Sequence, residues 1–244
     1  MKKPYIVCNW KMNPSTGKEA DALAREMVSC VDKKRGELII VPPALFIERV
    51  RNVYPVVGSQ DISEFKQGSY TGQLSAQMMK KAGVSYAIIG HAERKIYQKE
   101  TDVQSAEKIQ RAQEEHIVPI ICVGEIKKTT VSHAWHSIKK QLDVFLPSIK
   151  KGSFYIYAYE PLWAIGGTQT VDPQYVADVI YRMKLYIRAQ KQEIPTVIYG
   201  GSVNCENIDS LLYYKDTIDG FIVGSVSVKI KEIKNIIKKI YGSY

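Results

Sequence analysis

The sequence predicts an α/β chain: a (β/α)8 barrel of eight parallel strands ringed by helices. Three observations carry the prediction. Eight short runs rich in Val, Ile, Tyr and Phe recur along the 244 residues, and short β-branched and aromatic runs are the signature of buried strands. A helical segment follows each run, the alternation that builds a parallel sheet covered by helices. No Ser/Gly linker or low-complexity stretch interrupts it, so residues 1–244 read as one domain. A flavodoxin-like open sheet, the competing architecture, needs fewer strands.

The first strand, Tyr5-Ile6-Val7-Cys8, ends in Asn9-Trp10-Lys11-Met12-Asn13, and a helix follows from about Lys18 to Cys30. Leu38-Ile39-Ile40-Val41 is the second, stopped by Pro42-Pro43, with a short helix from Phe46 to Val53. Val56 to Gln60 is the third, and a polar loop, Asp61 to Gln73, leads to a helix capped at Ser75 and ended by Gly83. Tyr86 to Gly90 is the fourth, with His91-Ala92-Glu93-Arg94 directly after it and a helix from the Thr101-Asp102 cap to Glu115. Val118 to Val123 is the fifth, ending at Gly124-Glu125, before a helix from Val131 to Leu146.

The sixth strand starts at Phe154 and carries Glu160 at its end, where Pro161 prevents it from continuing. Asp172-Pro173 opens the next helix as cap and first-turn proline, continuing to Gln190. Thr196 to Tyr199 is the seventh strand, ending in Gly200-Gly201-Ser202-Val203, after which Asn204 is placed to cap a short helix through Tyr213. Gly220 to Val223 is the eighth, followed by Gly224-Ser225. The last helix sets Ile230, Ile233, Ile236, Ile237 and Ile240 on one face and lysines on the other, a pattern for docking onto the barrel rather than onto a membrane surface.

Composition narrows the function classes. No apolar run is long enough to span a bilayer, and Met1-Lys2-Lys3-Pro4-Tyr5 enters a strand without a signal-peptide core. Cys8, Cys30, Cys122 and Cys205 are widely spaced, which favours free thiols in a reducing cytoplasm over a zinc site. The net charge is +9, but the lysines are interleaved with glutamates. Solvated helix faces account for it first and steering of a small anionic substrate second. No nucleic-acid-binding signature accompanies it.

The chemistry-bearing residues lie at the C-terminal ends of strands, the end that carries the site in such barrels. Lys11, His91 and Glu160 come from three strands, and closure of the ring brings them to one mouth. A cation, an imidazole and a carboxylate suit proton transfer beside a carbonyl: one removes the proton, the others stabilise the oxyanion. Glu160 is followed by Pro161-Leu162-Trp163-Ala164-Ile165-Gly166-Gly167, an apolar run closing on two glycines. Such a segment reads as a lid that strengthens the base by excluding water, or as an ordinary turn after a strand. Gly200-Gly201-Ser202 and Gly224-Ser225 end the last two strands, where glycines let backbone N–H groups approach a phosphate. His133 and His136, at i and i+3, are helix-surface residues rather than metal ligands.

Assembled, these pieces resemble the triosephosphate isomerase family along essentially the whole chain. The resemblance rests on Asn9-Trp10-Lys11-Met12-Asn13, Gly90-His91-Ala92-Glu93-Arg94, Cys122-Val123-Gly124-Glu125, Ala158 to Gly166 and Tyr199-Gly200-Gly201-Ser202-Val203. It implies a TIM barrel and an intramolecular aldose–ketose isomerase of glycolysis and gluconeogenesis. The reaction is interconversion of dihydroxyacetone phosphate and D-glyceraldehyde 3-phosphate through an enediolate. The resemblance makes Glu160 the base, His91 a neutral electrophile, Lys11 the fixed charge and Asn9 the group orienting the substrate oxygen.

It further implies that Glu93 braces Lys11 and that backbone N–H groups of Gly166, Ser202, Gly224 and Ser225 hold the phosphate. Cys122 matches a family cysteine near the base, though as a small buried residue it reads equally as packing. The lid runs from Pro161 through Gly167 and Thr168 to Gln169, with Tyr199 as its latch. No metal or organic cofactor is implied. The family pattern is a homodimer whose loop after the third strand, here Asp61 to Ser75, enters the partner and sets Thr71 near its Asn9 and Glu93.

Four departures from the family pattern stand out. Ala92 replaces a serine beside the histidine, Gln73 a glutamate that pairs across the dimer with the arginine at Arg94, and Ser225 the second glycine of the phosphate loop. The hinge reads Gly167-Thr168-Gln169-Thr170, with Thr168 stiffer than a small residue. The expectation is an active enzyme with altered lid kinetics and a looser dimer. The competing class is a phosphate-binding barrel with little turnover, acting as an interaction protein; a retained base speaks against it. Other phosphate-handling barrel enzymes lack the Asn-x-Lys and Glu-Pro-x-Trp pair.

Overall fold

A computed structural model describes residues 3–165 and 171–244. Its strands are β1 (Tyr5–Asn9), β2 (Glu37–Val41), β3 (Gly58–Ser59), β4 (Tyr86–Ile89), β5 (Val118–Val123), β6 (Ile156–Tyr159), β7 (Thr196–Tyr199) and β8 (Gly220–Val223). They pair in the order β2-β1-β8-β7-β6-β5-β4-β3, each pairing parallel. An Ile40–Val57 bridge, with the Ile40 N–H donating to Val56 O at 3.2 Å, joins β2 to β3 and closes the ring. The fold is the expected (β/α)8 barrel.

Strand periodicity divides the core into two shells, because alternate side chains face opposite sides of a strand. Val7, Ile39, Ile88, Ile120, Cys122, Ile156, Ala158, Ile198 and Ile222 fill the barrel interior. Ile6, Cys8, Leu38, Ile40, Ala87, Ile89 and Ile121 face outward and meet the helices. Those helices are α1 (Gly17–Val28), α2 (Ile47–Val53), α3 (Ala76–Lys81), α4 (Ala92–Tyr97), α5 (Asp102–Glu114), α6 (Val131–Phe145), α7 (Pro173–Lys191), α8 (Ile208–Leu212) and α9 (Ile230–Ser243). Caps follow the sequence signals: Thr16 and Thr101 form capping boxes, and Ser75, Thr130 and Asp172 each accept a first-turn N–H.

α9 docks on the barrel. Ile233, Ile236, Ile237 and Ile240 are fully buried, each a gain of about 1.5–3 kcal/mol relative to exposure. Ile230, the first residue of the helix, is 37% exposed and stands off this face. Among the described residues no helix is long and apolar enough to cross a membrane.

Three boundaries differ from the sequence reading. β3 shrinks to two residues, since Val57 makes only the closing bridge and Gln60 turns its amide to the carbonyls of Lys11 and Val41. β6 begins at Ile156, because Phe154 lies 47% exposed and packs against the Tyr5 ring at 5.9 Å between centroids. Asn204 does not cap α8; its side chain accepts the N–H groups of Glu206 and Asn207, a local turn that delays the helix to Ile208. The segment at His91, read as a connection, is a helix of its own, α4.

Candidate active site

Lys11 follows β1 in a left-handed conformation, φ 53°, uncommon for a residue with a side chain. Its main chain is held from several sides. Asn9 Oδ1 accepts the Lys11 N–H at 3.0 Å, and Gln60 Nε2 donates to Lys11 O at 2.7 Å. Ser227 Oγ donates to Asn9 O at 3.2 Å. The Lys11 side chain reaches Glu93 of α4, with Nζ and Oε1 2.5 Å apart.

His91 is the N-cap of α4, and its Nδ1 accepts the Glu93 N–H at 3.2 Å. A ring nitrogen that accepts an amide proton leaves the imidazole proton to Nε2. Nε2 lies 3.6 Å from Glu160 Oε1.

Glu160 itself is withdrawn. It is 1% exposed, Oε1 has no hydrogen-bond partner, and Oε2 has a long 3.5 Å contact from the Ala92 N–H. Alanine at position 92 has no hydroxyl to offer the carboxylate, so that residue contributes through its backbone alone. Gly200 forms one wall of this alcove: a Cβ there would stand 2.7 Å from Glu160 Cγ. Cys122 is buried beside Glu160, its thiol pushed well above the ordinary value first by burial and then by the Glu160 carboxylate. It remains a neutral packing group.

In front of the alcove opens a cavity of about 600 Å³ lined by Asn9, Lys11, His91, Ile165, Gly200, Ser202, Gly224 and Ser225 among others. Ser225 starts a single 3₁₀ turn, Ser225–Val228. An L residue adopts that backbone freely, so serine in place of glycine introduces no strain there. The cradle expected at the ends of β7 and β8 thus faces the same cavity as Lys11 and His91.

Trp163 Nε1 donates to Glu125 Oε1 at 2.7 Å, and its ring meets Tyr175 edge-on. Glu125 is 2% exposed and also accepts from Tyr159 and Tyr175, both at 3.1 Å. Sequence reasoning saw Glu125 only as part of a motif. Pro161 and Ile165 flank a 3₁₀ turn, Leu162–Ala164. Gly166, Gly167, Thr168 and Gln169, expected as phosphate ligand and lid, lie outside the described residues. Tyr199 is 1% exposed, and its hydroxyl would meet a Cβ at Gly201 at 2.2 Å.

Thr71 and Gln73 are exposed on the loop after β3, which carries a stacked Phe65–Tyr70 pair at 3.7 Å. Arg94 is already engaged within the chain, by Glu100 at 2.6 Å and Asp61 at 2.9 Å. Lys108, 3% exposed, joins the same two carboxylates at 2.7 and 2.8 Å. His133 and His136 are exposed on α6.

Fold and site together define an α/β-barrel protein with a lysine, a histidine and a carboxylate gathered beside one glycine-lined cavity at the C-terminal mouth. The triosephosphate isomerase family model matches residues 4–240. A triosephosphate isomerase of Buchnera aphidicola subsp. Cinara cedri is 35% identical over 252 aligned residues, covering 98% of each chain. One from Ruthia magnifica is 34% identical, covering 98% of this chain and 99% of its own, and one from Mesomycoplasma hyorhinis is 35% identical, covering 94% and 96%. The chain belongs to the triosephosphate isomerase family.

Proposed function

We infer that this member of the family interconverts dihydroxyacetone phosphate and D-glyceraldehyde 3-phosphate, with Glu160 carrying the proton between the two carbons. The observation that supports it most is the convergence of Lys11, His91 and Glu160 from the ends of β1, β4 and β6 beside one cavity. The phosphate sits against the main chain at Ser202, Gly224 and Ser225, with Gly166 as the lid's contribution. The substrate oxygens then face Lys11 Nζ, His91 Nε2 and the Asn9 amide. Charge that builds on the enediolate oxygens meets a fixed ammonium and an N–H donor, which lowers the barrier more than either would in water.

Glu160 reaches the substrate by leaving its alcove. The long Ala92 contact and the partnerless Oε1 make that departure cheap. Both steps move a proton and nothing else, so no electron acceptor enters the balance. A barrel kept only for binding would have no use for a buried carboxylate held this loosely.

The protein acts as a homodimer in the cytoplasm. Met12, Leu45 and Tyr97, on the segments after β1, β2 and β4, are 93%, 82% and 74% exposed, and the loop after β3 stands among them. Apolar side chains gathered on one side of the mouth are the material of an isologous interface. All four cysteines are free thiols, as a reducing compartment would keep them.

A coupled assay with glyceraldehyde 3-phosphate tests the reading. Glu160→Asp draws the carboxylate back by about one methylene and is expected to cut kcat by about a hundredfold. Activity within a factor of about two of the parent would remove Glu160 as the base.

A further inference from the structure

Beyond the ends of β5 and β6 the two segments go on pairing. Val123 O accepts the Glu160 N–H at 2.8 Å, and Glu125 O accepts the Leu162 N–H at 2.9 Å. In a parallel ladder, the polar groups of alternate residues point to opposite sides. The N–H and C=O of Gly124 therefore point away from β6, toward the side that β4 occupies lower down. β4 has stopped at Ile89 by this level, and after Gly90 the chain has turned into α4. Two main-chain groups at the edge of the site need partners from elsewhere.

Gln141 of α6 supplies them. Its Oε1 accepts the Gly124 N–H at 3.2 Å, and its Nε2 donates to Gly124 O at 2.8 Å. A side-chain amide with a donor and an acceptor in the spacing of a peptide group stands in for the missing strand. The same Oε1 accepts Lys95 Nζ at 3.1 Å, and Lys95 belongs to the helix that starts at His91. Gly124 in turn lies flat on the peptide that follows Glu160: a Cβ there would stand 1.9 Å from Glu160 O.

We propose that Gln141 is a positioning residue for the proton transfer, holding the main chain of Glu160 at a fixed distance from the helix of His91 through Gly124 and Lys95. It touches neither substrate nor reacting atom. Its lever is the short path Lys95–Gln141–Gly124–Glu160, which ties together the two elements whose side chains share the reaction. The anion cradle at the ends of β7 and β8 lies outside this path.

The test is a split between turnover and binding. Gln141→Leu keeps the volume and removes both bonds to Gly124. Its kcat is expected to fall about ten- to a hundredfold, the penalty for sub-ångström to ångström misplacement. KM and inhibition by inorganic phosphate are expected to stay within about twofold, while a phosphorylated hydroxamate mimicking the enediolate binds more weakly by the factor lost in kcat. Gln141→Glu keeps an acceptor for Gly124 and Lys95 and recovers part of the loss. If Gln141→Leu does not fold, Gln141→Glu and Lys95→Met decide: a fall of about threefold or more in kcat at unchanged KM supports the role, and unchanged kcat in both overturns it. A Gln141→Leu enzyme turning over within about twofold of the parent also overturns it, as does phosphate affinity falling in step with kcat. The proposal rests on Glu160 as base. A crippled Glu160→Asp beside a silent Gln141→Leu removes only the positioning role, whereas a silent Glu160→Asp removes the base itself.

Discussion

One methyl group at Gly200 tests whether the alcove sets the position of the base. A Cβ there would stand 2.7 Å from Glu160 Cγ and 2.8 Å from Oε1. Favourable carbon contacts begin near about 3.5 Å, so the deficit is about 0.8 Å. Gly200 does not occupy the positive-φ region, so Gly200→Ala adds crowding without backbone strain. The Gly200 N–H donates to Tyr159 O at 2.9 Å, which stops the main chain from yielding. The carboxylate must move instead. A displacement of this order is expected to lower kcat about a hundredfold, roughly 2.7 kcal/mol of barrier. KM stays within about threefold, because the main-chain N–H groups of Ser202, Gly224 and Ser225 are untouched.

The measurement is the coupled assay in the glyceraldehyde 3-phosphate direction, with thermal melting to verify the fold. In a Glu160→Asp background the shortened side chain no longer fills the alcove, so the double variant loses less than the product of the singles. Gly200→Ala retaining more than about half of kcat, or strictly multiplicative losses, would refute the reasoning.

Two further outcomes concern stability and assembly. Lys108→Met leaves Arg94 as the remaining cation on the buried Glu100 and part-buried Asp61 carboxylates and is expected to cost about 1.5–3 kcal/mol. Burial raises the Glu100 carboxyl, but hydrogen bonds from Lys108, Arg94 and Ser105 outweigh it and leave the group below its ordinary 4.5. A depressed carboxyl contributes stability above its unfolded value and loses it as pH falls through the folded one. The gap in urea midpoint between parent and variant therefore narrows below pH 4.5, and Asp61, raised mainly by burial, narrows it further on protonation. A gap constant down to about pH 3 would contradict this. Sedimentation at about micromolar protein is expected to give a dimer that dissociates on dilution, since Gln73 brings no charge to a partner's Arg94. A monomer throughout refutes the dimer, and a dimer persisting at about nanomolar protein refutes only its looseness.

The barrel was legible because its strands are short β-branched runs and its caps are local signals such as Ser75, Thr101 and Asp172. The misread boundaries were decided by competition rather than propensity. Asn204 satisfies its own turn before α8 can start, and β3 gives Gln60 up to the carbonyls of β1 and β2. The reacting groups were legible as ionisable side chains directly after strands. Their supports were not. Gln141 meets Gly124 across 17 residues, Gln60 meets Lys11 across 49, and Glu125 grips Trp163 across 38. Nothing local distinguishes such a glutamine or glutamate from a surface residue; only the folded ring brings each to its partner.

The inner shell of the barrel ends where the reaction begins. Cys122 and Ala158 belong to the interior column, yet one lies beside the Glu160 carboxylate and the other two residues before it on the same strand. Ile222, another member of that column, shows part of itself to the cavity. Efforts to harden this protein by enlarging small interior side chains would therefore meet a conflict at its topmost tier. There a tighter filling lifts the catalytic floor, and room for improvement lies in the lower tiers and in the outer shell between sheet and helices.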